Sequence, residues 1–131
     1  MRTLLLGIDS GTQSTKALVV DAKDGRVLGA GSQAYDLIPD LPAGAKEQHP
    51  HTWREATAAA IRQAMRNAKA GPSDVKAIGV SGQQHGFVPL DKNGEVIRPA
   101  KLWCDTATAA ECEEITAALG GAKKTIKALG N

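Results

Sequence analysis

Residues 3–9, Thr-Leu-Leu-Leu-Gly-Ile-Asp, form a short and nearly continuous apolar run that stops at Ser10-Gly11, the pattern of a strand buried on both faces. Residues 14–21 (Ser-Thr-Lys-Ala-Leu-Val-Val-Asp) predict a second strand reached through a Gly-bearing turn. Asp24-Gly25 then marks a hairpin before the loosely alternating residues 26–34. Three strands joined by tight turns predict an antiparallel meander. From Tyr35 to Pro50 the chain carries Pro39, Pro42 and Pro50 with little periodicity, which reads as an extended excursion over the surface. Trp53, Ala56, Ala60, Ile61, Ala64, Met65 and Ala68 recur at three- and four-residue spacing and predict a long helix that ends before Gly71-Pro72. Residues 75–81 follow that helix as an apolar run, so they should join the sheet parallel to the first strand through a crossover. Residues 86–91 predict another short strand, turned by Lys92-Asn93-Gly94. Thr108 and Glu111 stand at capping-box spacing ahead of Cys112, Ile115, Ala118 and Leu119, and Gly120-Gly121 stops that helix. Residues 122–129 fit a third, short helix. Internal repeats and low-complexity segments are absent from the sequence.

Size and composition narrow the picture. A 13.6 kDa chain folded as one compact unit would expose roughly 6,600 Å² of roughly 19,700 Å² unfolded, burying about two thirds. The 42% hydrophobic fraction contains 22 alanines and only four aromatic residues, so large core side chains are few. The net charge of +2 is spread as mixed signs, with no basic block or interleaved aromatics, which argues against nucleic acid as a partner. The apolar run at Leu4–Leu6 is too short for a signal peptide, and nothing approaches the roughly 18 apolar residues of a membrane span. A soluble, cytoplasmic protein without membrane contact is expected. Cys104 and Cys112 have no partner at metal-ligand spacing and are expected to be buried thiols.

Candidate chemistry concentrates first in Gly7-Ile8-Asp9-Ser10-Gly11-Thr12-Gln13-Ser14-Thr15-Lys16. An acidic residue closes a strand, Gly11 permits a tight turn, and small hydroxyl residues lead into the next strand. Backbone N–H groups around Gly11 and Gln13 and the hydroxyls of Thr12 and Ser14 can donate to phosphate oxygens. Asp9 can hold a hydrated Mg²⁺, and Lys16 adds positive charge. The segment is not a Walker A loop, because no Gly precedes the Lys at the required position and the turn leads to a strand. A plain hairpin whose Asp9 caps the turn would show the same residues. The order around it differs, however: Asp-X-Gly-Thr between the first two strands of a meander, then a helix and a returning strand, resembles the phosphate hairpin of the actin-like ATPase superfamily.

Within that superfamily, Gly79-Val80-Ser81-Gly82-Gln83-Gln84-His85-Gly86 resembles a segment of the FGGY carbohydrate kinase family, in its xylulokinase-like branch. Three further stretches are similar to that family in the same order. They are Glu47-Gln48-His49-Pro50-His51-Thr52-Trp53, then Pro99-Ala100-Lys101-Leu102-Trp103-Cys104-Asp105 with Thr108–Cys112, and finally Leu129-Gly130-Asn131. The sequence departs from the family at His49, where the family often has Asp. The resemblance implies a ribonuclease-H-like α/β fold, a mixed sheet with a three-stranded antiparallel meander and crossover helices. Residues 1–131 would form the N-terminal part of a first kinase domain. It further implies transfer of the γ-phosphoryl group of MgATP to a hydroxyl of a pentulose, with ATP and Mg²⁺ as cofactors. Asp9, Gly11, Thr12, Gln13, Ser14 and Lys16 would act on phosphate and metal, and Gln84 and His85 on the sugar. Family members are several times longer, so the general base and the adenine-binding residues are expected beyond residue 131, and the chain alone is expected to be inactive. A homodimer of the longer enzyme is also among its implications.

Two other readings are open on the sequence alone: a noncatalytic sugar-binding or regulatory remnant, and an actin-like filament or chaperone ATPase. The latter gives no reason for Gln83-Gln84-His85-Gly86. Xylulose, ribulose and other polyols are not distinguished. His49 and His51 read as solvated residues at the helix start, Asp105 as the N-cap of the following helix, with indirect positioning of the sugar site as the alternative, and Trp53 and Trp103 as core residues.

Overall fold

The computed structural model describes residues 2–130. Strands β1 (Leu4–Ser10), β2 (Ser14–Asp21) and β3 (Val27–Ala34) form the expected antiparallel meander, and β5 (Val75–Gly82) returns parallel to β1, giving the order β3-β2-β1-β5. Two residues of the excursion, β4 (Glu47–Gln48), pair antiparallel with β6 (Ala100–Lys101) in a second small sheet. Helix α1 (Pro50–Asn67) is the crossover, and α2 (Ala109–Ala118) and α3 (Ala122–Leu129) close the chain. Among the described residues no helix is long and apolar enough to cross a membrane.

The core lies between α1 and one face of the sheet. Leu4 and Leu6 of β1 and Ala17 and Val19 of β2 point at Ala60, Ala64 and Ala68. Small residues on both sides let the helix lie unusually close. A Cβ at Gly29 or Gly31 of β3 would come under 3.0 Å from backbone atoms of Ala60, Ala64 or Ala68, so only glycine fits there.

Several expectations are corrected. β1 alternates between buried and exposed positions instead of being buried on both faces, and Leu5 is 40% exposed, because α1 covers one face and nothing described covers the other. β5 is the sheet's outer strand, with Ile78 and Val80 exposed on it. Residues 86–91 make only isolated bridges, Phe87 to Lys101 and Leu90 to Val96, since Pro89 and the Asp91–Gly94 turn interrupt any longer ladder. Cys104 is half-buried, and Cys112 is exposed because α2 and α3 bury no residue. The chain therefore exposes 8988 Å², so that closer to half than two thirds of its surface is buried. Thr108 is the N-cap of α2, yet its side chain caps nothing. At the other end of α2, Gly120 and Gly121 donate to Ala117 O and Thr116 O, a Schellman closure that makes the expected stop.

Candidate functional site

The β1–β2 register places Asp9 opposite Lys16 and Ser10 opposite Thr15, and β5 adds Ser81 beside Asp9. Side-chain alternation then sends Asp9 and Lys16 to the sheet face away from α1, where both are exposed. Among the described residues the Asp9 carboxylate forms no hydrogen bond or ion pair, so its oxygens face solvent. The turn between the strands is tightly held. Gly11 N–H donates to Ser14 O (3.0 Å), Tyr35 N–H to Gln13 O (3.0 Å), and the Tyr35 hydroxyl to Gly11 O (2.5 Å).

The segment after β5 is fixed at both ends. Gln83 N–H donates to Ser10 O (2.9 Å), extending the β1–β5 pairing past Gly82, and Phe87 exchanges two backbone hydrogen bonds with Lys101 of β6. Gly82 permits this closeness, since a Cβ there would stand 2.8 Å from Ser10 O. Between these anchors Gln84 and His85 are exposed, and His85 adopts φ 60°, the left-handed region that costs a non-glycine residue about 1 kcal/mol or more. The anchors at Gln83 and Phe87 hold that conformation in place.

Asp9, Gly11, Thr12, Gln13, Ser14 and Lys16 line one open cleft together with Trp103. An adjoining cleft is lined by Asp9, Gly11 and Thr12 again, now with Gln84, His85 and Trp103. All eight candidate residues thus meet around one wall, the turn of the first hairpin. Trp103 is the correction here. It is 59% exposed, not a core residue, because its indole N–H reaches Thr12 Oγ1 at 3.1 Å. Thr12 Oγ1 also lies 3.3 Å from Gln83 Oε1.

A charged cluster sits on the small β4–β6 sheet. Glu47, 7% exposed, pairs with Arg98 (2.5 Å) and Lys101 (3.5 Å), and Lys101 pairs with Asp105 (3.3 Å). Asp105 is not the N-cap of α2, which starts four residues later. It accepts from Lys46 N–H and Ala107 N–H instead. The Lys46 backbone N–H above all, then that of Ala107 and the Lys101 ammonium, hold its carboxyl below the usual 3.8. His49 and His51 are exposed at the start of α1 as expected. The sequence assigns no role to Tyr35, or to Gln48 and Gln83 within the stretches that carry the resemblance, because a single polar residue in a loop or a two-residue strand carries no periodic signal; only their proximity to the two glycine-bearing segments marks them.

The donor set suits a hard cation. Asp9 offers free carboxylate oxygens beside the Thr12 and Ser14 hydroxyls, whereas among the described residues no group of three His, Cys, Asp or Glu could enclose a metal. Mg²⁺ matches such a site, since it keeps most of its water and takes one or two carboxylates plus phosphate oxygens.

Comparison with known proteins agrees with this arrangement. Residues 4–131 match the N-terminal domain of the FGGY family of carbohydrate kinases. A xylulose kinase of Haemophilus influenzae is 44% identical over 131 residues, covering 97% of this chain and 26% of the relative. One from Streptomyces coelicolor is 39% identical over 128 residues, covering 98% and 25%. The crystal structure of a xylulose kinase from Brucella ovis superposes with a TM-score of 0.78 at 36% identity, over 87% of this chain and 24% of that one. The chain spans about a quarter of the length of these relatives. A match across nearly every residue, on the same mixed sheet, identifies the actin-like ATPase fold of the sugar kinases, and the chain belongs to the FGGY family of carbohydrate kinases.

Proposed function

We propose that this chain forms part of an ATP-dependent carbohydrate kinase that phosphorylates a hydroxyl of a pentulose, with xylulose as the favoured substrate. The observation that carries this reading is the shared wall: Asp9, Gly11 and Thr12 border the cleft of Ser14 and Lys16 and also that of Gln84 and His85. A phosphate donor on the first side and a sugar on the second would meet at the hairpin turn. The names of the relatives favour xylulose over other ketoses.

In this reading the N–H groups of the turn and the Thr12 and Ser14 hydroxyls bind phosphate oxygens, and Lys16 offsets their charge. Asp9 would hold Mg²⁺ through water, and the ion would neutralise charge on the transferring phosphoryl group. Gln84 and His85, displayed on a loop anchored at both ends, orient the sugar. A neutral His offers one donor and one acceptor, which lets it select a particular hydroxyl arrangement. No residue of this chain is proposed as the general base, and the chain by itself is proposed to bind without turning over.

Amide shifts on titration test the reading. D-xylulose should perturb Gln84 and His85 saturably, MgATP should perturb Gly11–Ser14, and neither should move α3. His85→Ala should weaken the sugar response by roughly 5- to 150-fold, the worth of one lost hydrogen bond to a ligand, and leave the MgATP response unchanged. A silent Gln84–His85 segment defeats the sugar assignment. Sugar-dependent ADP release by the purified chain would show that a base lies within it.

A further inference from the structure

Gln48 is 1% exposed, lies outside the apolar core and is saturated with hydrogen bonds. Its Nε2 donates to Thr12 O at 2.7 Å and to Asp36 O at 3.3 Å. Its Oε1 accepts from the Trp53 indole N–H at 2.8 Å and from Gln83 Nε2 at 3.4 Å. A carboxamide has two donors and two acceptor sites, so all four are used. Flipping the amide would set its oxygen against the Thr12 carbonyl and its NH₂ against the Trp53 N–H, so its partners fix one orientation.

These bonds close a ring. Gln48 holds the Thr12 carbonyl, the Thr12 hydroxyl bonds to Gln83 Oε1, and Gln83 Nε2 returns to Gln48. Thr12 is the tip of the first hairpin, and Gln83 immediately precedes Gln84 and His85. The backbone of Gln48 is itself pinned, being paired with Ala100 in the small sheet beside the Glu47 ion pairs. The central carboxamide is buried and fully bonded while Thr12 and Gln83 are half-buried, so the ring is held from its buried centre, and losing that centre leaves the other two without it.

We propose that Gln48 is a positioning residue that holds the hairpin turn and the Gln83–His85 segment in a single register, so that one buried carboxamide sets the spacing between the phosphate and sugar sides. The register itself is independent of ligand identity; its use in sugar binding rests on the proposed function.

The chain has two tryptophans, each donating its indole N–H to this network, Trp53 to Gln48 and Trp103 to Thr12. Two indole N–H resonances therefore report on it. Gln48→Met keeps the volume and removes all four bonds. The Trp53 indole proton should then exchange with water at least about tenfold faster, as expected for one lost buried hydrogen bond. The Thr12 amide and the Trp103 indole resonance should shift as well, although Gln48 bonds to no atom of Trp103. D-xylulose should move the Trp103 indole in the wild type and cease to move it in Gln48→Met, while still moving His85. A purely local packing role would leave Trp103 unmoved, and that result overturns the proposal. If D-xylulose shifts no resonance in the wild type, the sugar assignment fails, and the ligand-free indole comparison still decides the role of Gln48. Should Gln48→Met not fold, Trp103→Phe at an exposed position reads the ring from its other end. Its Trp53 indole resonance must shift, and an unchanged one refutes the coupling.

Discussion

Tyr35→Phe tests whether the hairpin turn is held in shape by a single hydroxyl. The ring of Tyr35 is buried at 8% exposure, and its backbone N–H bonds to Gln13 O; both are retained in the variant. What is lost is the 2.5 Å bond to Gly11 O and the 3.2 Å contact with Thr15 Oγ1, a hydroxyl that is itself fully buried. Thr15 keeps Ser10 Oγ as a partner, whereas the Gly11 carbonyl loses the bond that fixes it. Leaving such a group without its partner costs about 1–3 kcal/mol. For a domain of this size that is a fall in melting temperature of roughly 4–10 °C. The loss should be local as well as global, with faster amide exchange at Gly11–Ser14 and a weaker MgATP response of the same turn by about tenfold. Circular dichroism melts and amide exchange on both proteins measure this. A melting temperature within about 1 °C of wild type, with unchanged exchange in the turn, would refute the assignment.

Gly31→Ala should destabilise although strand glycines usually gain from Ala. The new methyl meets Ala60 O and Ala64 N, so α1 must lift off the sheet, at about 1–3 kcal/mol by the usual cost of overpacking; thermal melts decide, and a variant as stable as wild type rejects the close-packing argument. At His85, with φ 60°, His85→Gly should be more stable than His85→Ala by about 1 kcal/mol, because only glycine adopts that backbone freely; urea midpoints of the pair measure it. Asp105 has a folded-state pKa lowered below 3.8, so its ionised form stabilises the fold. That contribution is complete above about pH 4–5 and is lost as pH falls through the lowered folded value. Asp105→Asn should therefore narrow its stability gap to wild type as the pH drops below 3.8, and a gap that is constant with pH would contradict the linkage.

The elements that were legible in the sequence are those whose periodicity is long or whose turns need particular residues. The meander follows from two Gly-bearing turns, α1 from alanines at helical spacing, and α3 from its glycine boundaries. The parallel return of β5 follows from an apolar run after a helix. What stayed hidden depends on partners distant in sequence. β4 and β6 have two residues each, too few to show alternation. β1 looked buried on both faces because its residues are apolar, yet exposure is decided by what packs above them. Trp103 carried the composition of a core residue, and only the position of Thr12 turns its N–H outward. The two glycine-bearing segments that carry the candidate residues stand out in the sequence and line adjoining clefts in the structure, whereas no role for Gln48 or Tyr35, which bond to the first of those segments, can be read from the sequence.

The position of β5 also bears on the order in which the molecule assembles. β1 and β2 meet across a turn, with Ser10 opposite Thr15, but β1 and β5 pair Leu4 with Val75. Closing the longer loop costs about 2 kcal/mol more in chain entropy than closing the shorter one. During synthesis from the N-terminus, the meander, α1 and its C-cap Ala68 already contain every member of the buried core cluster, Leu4 through Ala68, before Val75 leaves the ribosome. This core can condense first, and β5 then zips onto a preformed β1 edge. Gln83–His85 lies just beyond the last strand of that sheet, so the half of the site proposed to read the sugar takes shape only on a meander and α1 that are already in place.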